Sequence, residues 1–124
     1  METIALILTG IVALEHIYIM WIEMFAWETT GKKIFGGSLA DDLFIPTKKL
    51  AANQGLYNGF LAAGLIWSLL IQDPIWSFNI GVFFLSCVII AALYGSLTSS
   101  RSILLKQGSP AILALIFVLL SRYM

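Results

Sequence analysis

Four long apolar runs occupy most of this 124-residue chain, and they constrain its fold more than any other feature. An apolar run of about 20 residues is the length of a helix that crosses the hydrocarbon core of a bilayer. The runs lie at residues 3–27, 49–71, 75–97 and 111–123. The last run is short, so it spans only if Ser109 and Pro110 begin it near one interface; the alternative is an interfacial or re-entrant helix. We therefore predict an all-α fold, in which residues 1–124 form a single polytopic four-helix integral membrane domain.

The composition excludes several classes of protein. Apolar residues make up 60% of the chain and charged residues 11%, whereas soluble domains have about 45–50% and about 25%. A chain of this length cannot bury that much apolar surface in water. Seven basic residues balance seven acidic ones, which leaves no basic patch for nucleic acid. A soluble enzyme, a disordered chain and a nucleic-acid-binding module are excluded, and the predicted partner is the lipid bilayer.

The connections between the runs predict how the helices follow one another. Gln72, Asp73 and Pro74 are typical of a tight turn, so the second and third runs should form an antiparallel hairpin. The first connection, residues 28–47, is a long loop, and Thr47 at its end is a candidate N-cap for the next helix.

Basic residues predict the orientation of the chain in the membrane. Those in or beside the first and third connections are Lys32, Lys33, Lys48, Lys49, Arg101 and Lys106. Only Arg122 lies on the opposite side. Because lysine and arginine are retained on the cytoplasmic side, we expect the two long loops inside the cell and both termini outside.

Three ionisable residues interrupt the first run: Glu15, His16 and Glu23. Such a group at membrane depth costs roughly 2.5–3.5 kcal/mol on insertion scales, so it persists only where it faces protein, water or another polar group. At about 100° per residue, one stripe of the helix contains His16, Met20, Glu23 and Trp27. Glu15 points about a quarter-turn away, still towards a neighbouring helix.

This polar stripe has three interpretations. A carboxylate and an imidazole away from water can relay protons or cations near neutral pH. Histidine and carboxylate also suit zinc or iron, but seven residues separate His16 from Glu23 by about 10 Å along the axis, so we predict neither a metal nor a cofactor. The third interpretation is structural, with Glu15 and His16 bonded to the next helix.

Polar side chains from the other runs are expected to meet the stripe near the cytoplasmic end. Amides and a phenol can donate and accept, and can therefore satisfy a carboxylate in either protonation state. The predicted pocket, open to the cytoplasm, contains Glu15, His16, Glu23, Asn53, Gln54, Tyr57, Asn58, Tyr94 and Gln107.

Two glycines lie on the opposite face of the second run from this polar set. Gly55 and Gly59 are four residues apart, the spacing that lets two membrane helices approach closely. We expect them to serve helix packing and not ligand binding.

Several motifs resemble those of a known family. They are LEHIYIM at residues 14–20, EMF at 23–25, ANQGLYNGF at 52–60, YG at 94–95 and QGSPA at 107–111. Together they are similar to a family of small bacterial four-helix membrane proteins, catalogued as domain of unknown function 1304. The resemblance extends over nearly the whole chain and implies a bacterial inner-membrane protein. It implies no activity and no catalytic residue.

Three functions fit these observations. The first is a proton-coupled transporter of a small molecule or ion, formed by a homodimer or larger oligomer because one short chain cannot enclose a path. The second is a membrane enzyme that acts on a lipid or isoprenoid, with Glu23 and His16 as general acid and base. The third is a structural or regulatory membrane subunit whose polar cluster serves packing alone.

Overall fold

A computed structural model describes residues 2–98 and 104–123, and all the regular structure in these residues is helical. The five α-helices are α1 (Glu2–Phe25), α2 (Thr30–Phe35), α3 (Lys48–Leu70), α4 (Pro74–Thr98) and α5 (Ser109–Tyr123). A 3₁₀ turn, Asp41–Leu43, precedes α3, and a π-helical turn, Leu104–Gly108, leads directly into α5. The all-helical prediction is confirmed for this part of the chain. Arg101, which entered the orientation argument, lies outside the described residues.

The four predicted runs coincide with α1, α3, α4 and α5 to within two residues at each end. Two of these helices, α1 with 24 residues and α4 with 25, are long and apolar enough to cross a membrane. Helix α3 is of similar length but carries amide side chains in its first half. Helix α5 has 15 residues and is about 22 Å long, against about 30 Å for the hydrocarbon core. The four-span topology therefore stays a prediction.

The four long helices form a bundle in which α1 and α4 occupy opposite corners. Helix α1 packs against α3 and α5, and α4 packs against the same two helices. Residues 71–73 form the whole connection between α3 and α4, so these helices run antiparallel. Asp73 caps α4, because its Oδ1 accepts hydrogen bonds from the backbone N–H groups of Ile75 at 2.9 Å and Trp76 at 3.2 Å.

The centre of the bundle is closed by aliphatic side chains from all four long helices. The cluster consists of Val12, Ala13, Leu65, Leu85, Val88, Ala111 and Ala114, all buried. Small residues predominate on α1 and α5, which lets these helices approach their neighbours closely. The interior at mid-height is therefore packed, and a cavity lies at each end of the bundle.

Glycines set the separation of α1 and α3. A Cβ added at Gly55 would lie 2.8 Å from Met24 Cγ and 3.1 Å from the carbonyl oxygen of Met20. A Cβ added at Gly59 would lie 2.7 Å from Met20 Sδ. A side chain at Gly55 would therefore require α1 to move, and one at Gly59 would require the Met20 side chain to move, which agrees with the packing role predicted for them.

The outward faces of the bundle are apolar as well. Exposed large side chains include Leu14, Phe25, Leu70, Phe83, Ile90 and Leu97. Soluble monomeric proteins rarely expose so many large apolar side chains. It is the surface expected of a protein that associates with a membrane, in agreement with the hydropathy of α1 and α4.

The loop between α1 and α3 is held by an aromatic cluster. The Trp27 ring centre lies 5.0 Å from that of Phe44 and 5.6 Å from that of Phe35. The Trp27 Nε1–H donates to Thr47 Oγ1 at 3.0 Å, and the Thr47 hydroxyl donates to the Leu43 carbonyl at 2.6 Å. Thr47 precedes α3 but does not cap it through its side chain. The capping prediction was wrong because this hydroxyl bonds back into the loop.

Candidate functional site

A cavity of about 440 Å³ lies at the end of the bundle where α1 ends and α3 begins. Its volume is within the range of about 300–1,000 Å³ that is typical of small-molecule sites. Every long helix or its adjoining turn contributes to the wall: Ile19 and Glu23 from α1, Gln54, Tyr57, Asn58, Phe60 and Leu61 from α3, Cys87, Ala91 and Gly95 from α4, and Gln107 before α5. Phe35 of α2 completes the wall at the loop end.

A carboxylate–amide pair stands at the wall of this cavity. Asn58 Nδ2 donates to Glu23 Oε1 at 2.6 Å, and only 5% of the Glu23 surface is exposed. Gly55, one turn before Asn58, makes the contact possible, because a Cβ there would lie 2.9 Å from the Cβ of Glu23. The missing side chain brings the α3 backbone close enough for the short asparagine to reach the carboxylate.

Three more predicted residues line the same cavity: Gln54, Tyr57 and Gln107. With Glu23 and Asn58, the structure therefore brings together five of the nine residues of the predicted pocket. Among the described residues that form the wall, Glu23 is the only one with a carboxyl group and none is lysine or arginine. The site combines one carboxylate, three amides and a phenol with aromatic and aliphatic surface.

The other four residues of the predicted pocket lie outside this cavity. His16 is 2% exposed, and its Nδ1 lies 2.9 Å from the Val12 carbonyl oxygen, within the bundle interior. Glu15 is partly buried, and its Oε1 has no hydrogen-bond partner among the described residues. Asn53 is exposed on α3, and Tyr94 is 70% exposed on α4. The next residue on the helix, Gly95, lines the cavity, so Tyr94, about 100° away around the axis, points outward.

The sequence interpretation missed the apolar part of the wall. On α4, Cys87, Ala91 and Gly95 recur every four residues, and this stripe of small side chains was a signal that could have revealed the lining face. Phe35 had no comparable signal, because a short loop helix has no period that indicates where it packs. Phe60 is exposed, so its sequence position does not distinguish it from other aromatic residues on the outer face of the bundle.

A second cavity, of about 390 Å³, lies at the opposite end of the bundle. Its wall includes Glu2 and Thr9 of α1, Ser68 of α3, Ser77 of α4 and Arg122 of α5. Thr9 and Ser68 are buried, and the Ser77 hydroxyl donates to the Ser68 carbonyl at 2.7 Å. The sequence interpretation did not predict this cavity.

Buried polar side chains on α1 run from one cavity to the other. Thr9 lines the second cavity, Glu23 lines the first, and His16 lies midway; all three are buried. The seven-residue spacing places them on one helical face, each about 10 Å from the next along the axis. Across residues 2–98 and 104–123, no three His, Cys, Asp or Glu side chains are grouped as they would be to hold a metal ion.

Comparison with known proteins gives one relative and a family. The chain is 39% identical over 117 residues to an uncharacterized protein, YpaA, of Lactococcus lactis subsp. lactis (strain IL1403), a match that covers 94% of this chain and 97% of that protein. No solved structure shows significant similarity to the chain. A family described as "Protein of unknown function (DUF1304)" matches residues 10–119, a range that includes both the carboxylate–amide pair and the α4 wall of its cavity. The chain therefore belongs to the family of unknown function 1304, the family that its motifs resemble.

Proposed function

We propose that this chain is a multipass protein of the bacterial cytoplasmic membrane and acts as a proton-coupled transporter of a small molecule or ion. The membrane location is supported by the two apolar helices α1 and α4 and by the apolar outer faces of the bundle. The bacterial setting is supported by the relative from Lactococcus lactis.

In this proposal α1, α3, α4 and α5 all cross the membrane, and α5 does so with a local thinning of the bilayer. Glu2 and Arg122 line one cavity, so the first and last helices begin and end at the same end of the bundle. The lysines of the first loop lie at the other end, beside the Glu23 cavity. The positive-inside rule then orients that cavity to the cytoplasm and both termini outside.

The observation that carries the proposal is the Glu23 carboxylate in the wall of a ligand-sized cavity. A carboxylate that can bind either a ligand or a proton binds one at the expense of the other. Ligand binding and proton release are therefore coupled. The amides of Gln54, Asn58 and Gln107 suit this exchange, since an amide can donate to the ionised form and accept from the protonated form. A carboxylate that served packing alone would need no cavity beside it.

In the proposed transport cycle, the compound enters and leaves through the cavities at the two ends of the bundle. The aliphatic cluster around Val12 and Leu65 closes the interior between them. His16 and Thr9 offer polar groups along α1 on the route from the Glu23 cavity to the opposite one. One bundle of four short helices is small for a complete path, so we propose a homodimer or larger oligomer as the working unit.

The alternative of a lipid enzyme with Glu23 and His16 as its acid and base has less support. His16 does not line the cavity, and its Nδ1 lies against the Val12 carbonyl oxygen. A general acid or base must come within hydrogen-bond reach of the substrate. The geometry therefore leaves Glu23 without the partner that this mechanism needs.

The test begins with mass spectrometry of small molecules that remain bound to gently extracted protein. The compound found is then added to proteoliposomes that contain an internal pH dye, and its uptake and the accompanying proton flux are measured. Glu23→Gln should fold normally and lose both the bound compound and the flux. Glu15→Gln, outside the cavity, is the matched control and should keep both. Retention of compound and flux in Glu23→Gln would refute the proposal.

A further inference from the structure

We infer that the Glu23 cavity takes a single-chain amphiphile from the bilayer through a mouth between α3 and α4, and that the head group of this ligand donates hydrogen bonds and carries no negative charge. The inference rests on the proposed function, whose site it shares, and it names the class of ligand.

The wall of the cavity divides into a polar and an apolar part. Glu23 and Asn58 hold the polar part together, with the amides of Gln54 and Gln107 beside them. The apolar part is formed by Ile19, Phe60, Leu61, Cys87 and Ala91. A small ion or a sugar would leave these apolar side chains without an apolar partner. An amphiphile, with a polar head and an apolar chain, matches both.

The cavity reaches the surface of the bundle between α3 and α4. Tyr57 and Phe60 on α3 both line the cavity, yet they are 59% and 53% exposed. Ala91 faces them from α4 and is also exposed. Near the α3–α4 turn the same helices are in close contact, because Gly64 leaves no room for a Cβ against the Phe84 ring. The two helices therefore touch at one end and leave a lateral mouth at the other.

The surface around this mouth is apolar. Leu56 on α3 and Phe83 and Ile90 on α4 are exposed large side chains on the adjoining helix faces. In a membrane these residues face lipid, so the mouth opens to acyl chains and not to water. At the loop end Phe35 stands in the wall of the cavity and packs on Trp27, which narrows the approach from the aqueous side.

The charge of the wall selects the head group. Glu23 is the only charged side chain among the described lining residues. Asn58 already donates to its Oε1, and Oε2 of the same carboxylate can accept from a ligand. A negatively charged head would meet a carboxylate with no lysine or arginine to offset it, whereas an ammonium or a hydroxyl would donate to it.

The chain supplies its own probe for this inference, since Cys87 is its single cysteine and lines the cavity. The protein is reconstituted in phosphatidylcholine liposomes, and the rate of Cys87 modification by methyl methanethiosulfonate, which reacts with thiols and not with amines, is followed by intact-protein mass spectrometry. Dodecylamine, dodecanol or dodecanoate is added at the same mole fraction of lipid, and ethylamine serves as the chainless control. If an amphiphile occupies the cavity in about nine-tenths of the molecules, about one-tenth stay reactive, and modification of Cys87 should slow about tenfold.

We expect dodecylamine or dodecanol to protect Cys87, and dodecanoate and ethylamine to leave its rate unchanged. Ala91→Trp, which fills the mouth, should abolish the protection. Leu93→Trp, at an exposed position on the opposite side of α4 and outside the wall, is the matched control and should keep it. Glu23→Gln should lose the protection by dodecylamine and dodecanol, as it should lose the bound compound. Equal protection by dodecanoate in the unmodified chain, or equal behaviour of the two tryptophan variants, would overturn the inference.

These outcomes separate the inference from the proposed function. If no amphiphile protects Cys87 but the Glu23-dependent proton flux is present, the ligand class is wrong and the transport proposal stands. If amphiphiles protect Cys87 as expected but no flux accompanies them, the site binds such ligands and the transport proposal fails.

Discussion

The hydrogen bond from Asn58 to Glu23 leads to a quantitative prediction about stability. Asn58→Leu keeps the number and branching of the side-chain heavy atoms but leaves a buried carboxylate without the amide that donates to it at 2.6 Å. Hydrogen bonds to charged groups contribute about 1.5–3 kcal/mol in soluble proteins. Those between membrane helices average about 0.6 kcal/mol and reach about 1.7 kcal/mol. Because this bond is short and its acceptor is buried, we expect the upper end of the membrane range, about 1.5 kcal/mol.

The second half of the cycle removes the acceptor as well. When both partners of a buried hydrogen bond are replaced by apolar groups of similar shape, the free energy of unfolding changes little. We therefore expect Glu23→Leu combined with Asn58→Leu to recover most of the stability that Asn58→Leu alone loses. The two substitutions should thus be strongly non-additive.

The measurement is reversible unfolding in dodecyl maltoside–SDS mixed micelles, followed by far-ultraviolet circular dichroism. Asn53→Leu is the matched control, since Asn53 is exposed on the same helix and outside the cavity, and should change the free energy of unfolding by less than about 0.5 kcal/mol. Independent sites add to within about 0.3–0.5 kcal/mol. If the Glu23 and Asn58 substitutions add to within that margin, the reasoning from the short buried bond is refuted.

Three further predictions concern the helices around the site. Gly55→Ala should lower the free energy of unfolding by about 1–3 kcal/mol, because the new methyl group meets the backbone oxygen of Met20. Gly10→Ala, whose methyl group would make only an ordinary contact, should raise the free energy of unfolding by up to about 1 kcal/mol. A change of the same sign for both variants in thermal denaturation would contradict this prediction. Asp73→Ala removes the cap of α4 and should cost about 0.5–2 kcal/mol, while Asp73→Asn should cost a few tenths at most; equal losses on SDS titration would exclude the capping role. Glu15→Met should raise stability by about 1 kcal/mol, because it removes a buried oxygen that has no partner among the described residues; a loss in the same titration would show that Glu15 has a stabilising partner.

Most of the helical architecture could be read from the chain because each helix carries its own local evidence. The apolar runs of α1 and α4 are long, and Asp73 and Pro74 mark the turn between α3 and α4. The short α5 was predicted almost to its boundaries because Ser109 and Pro110 are typical of a helix start. Thr47 shows the limit of such local evidence, since its hydroxyl bonds back to Leu43 and not forward into α3.

The candidate site could be predicted only in part. Depth and helical phase placed Glu23 and Asn58 together because both lie near the same end of antiparallel helices. The same reasoning grouped His16 and Tyr94 with them, yet one is enclosed in the bundle and the other is largely exposed. Depth along a helix is a local property, whereas the direction a side chain faces depends on which neighbour its helix packs against.

The amino-acid sequence by itself determined where the helices lie and that they carry carboxylate, imidazole and amide groups among apolar residues. Helix length and the 3.6-residue period are local properties, so a single chain reveals them. The tertiary structure alone decided which groups share a wall, since Gly55 and Gly64 set how closely α3 approaches α1 and α4. That spacing brings Asn58 to Glu23, opens a mouth beside Ala91 and leaves a second cavity at the far end. Such features arise from the fit between helix surfaces, and no period within one helix encodes them.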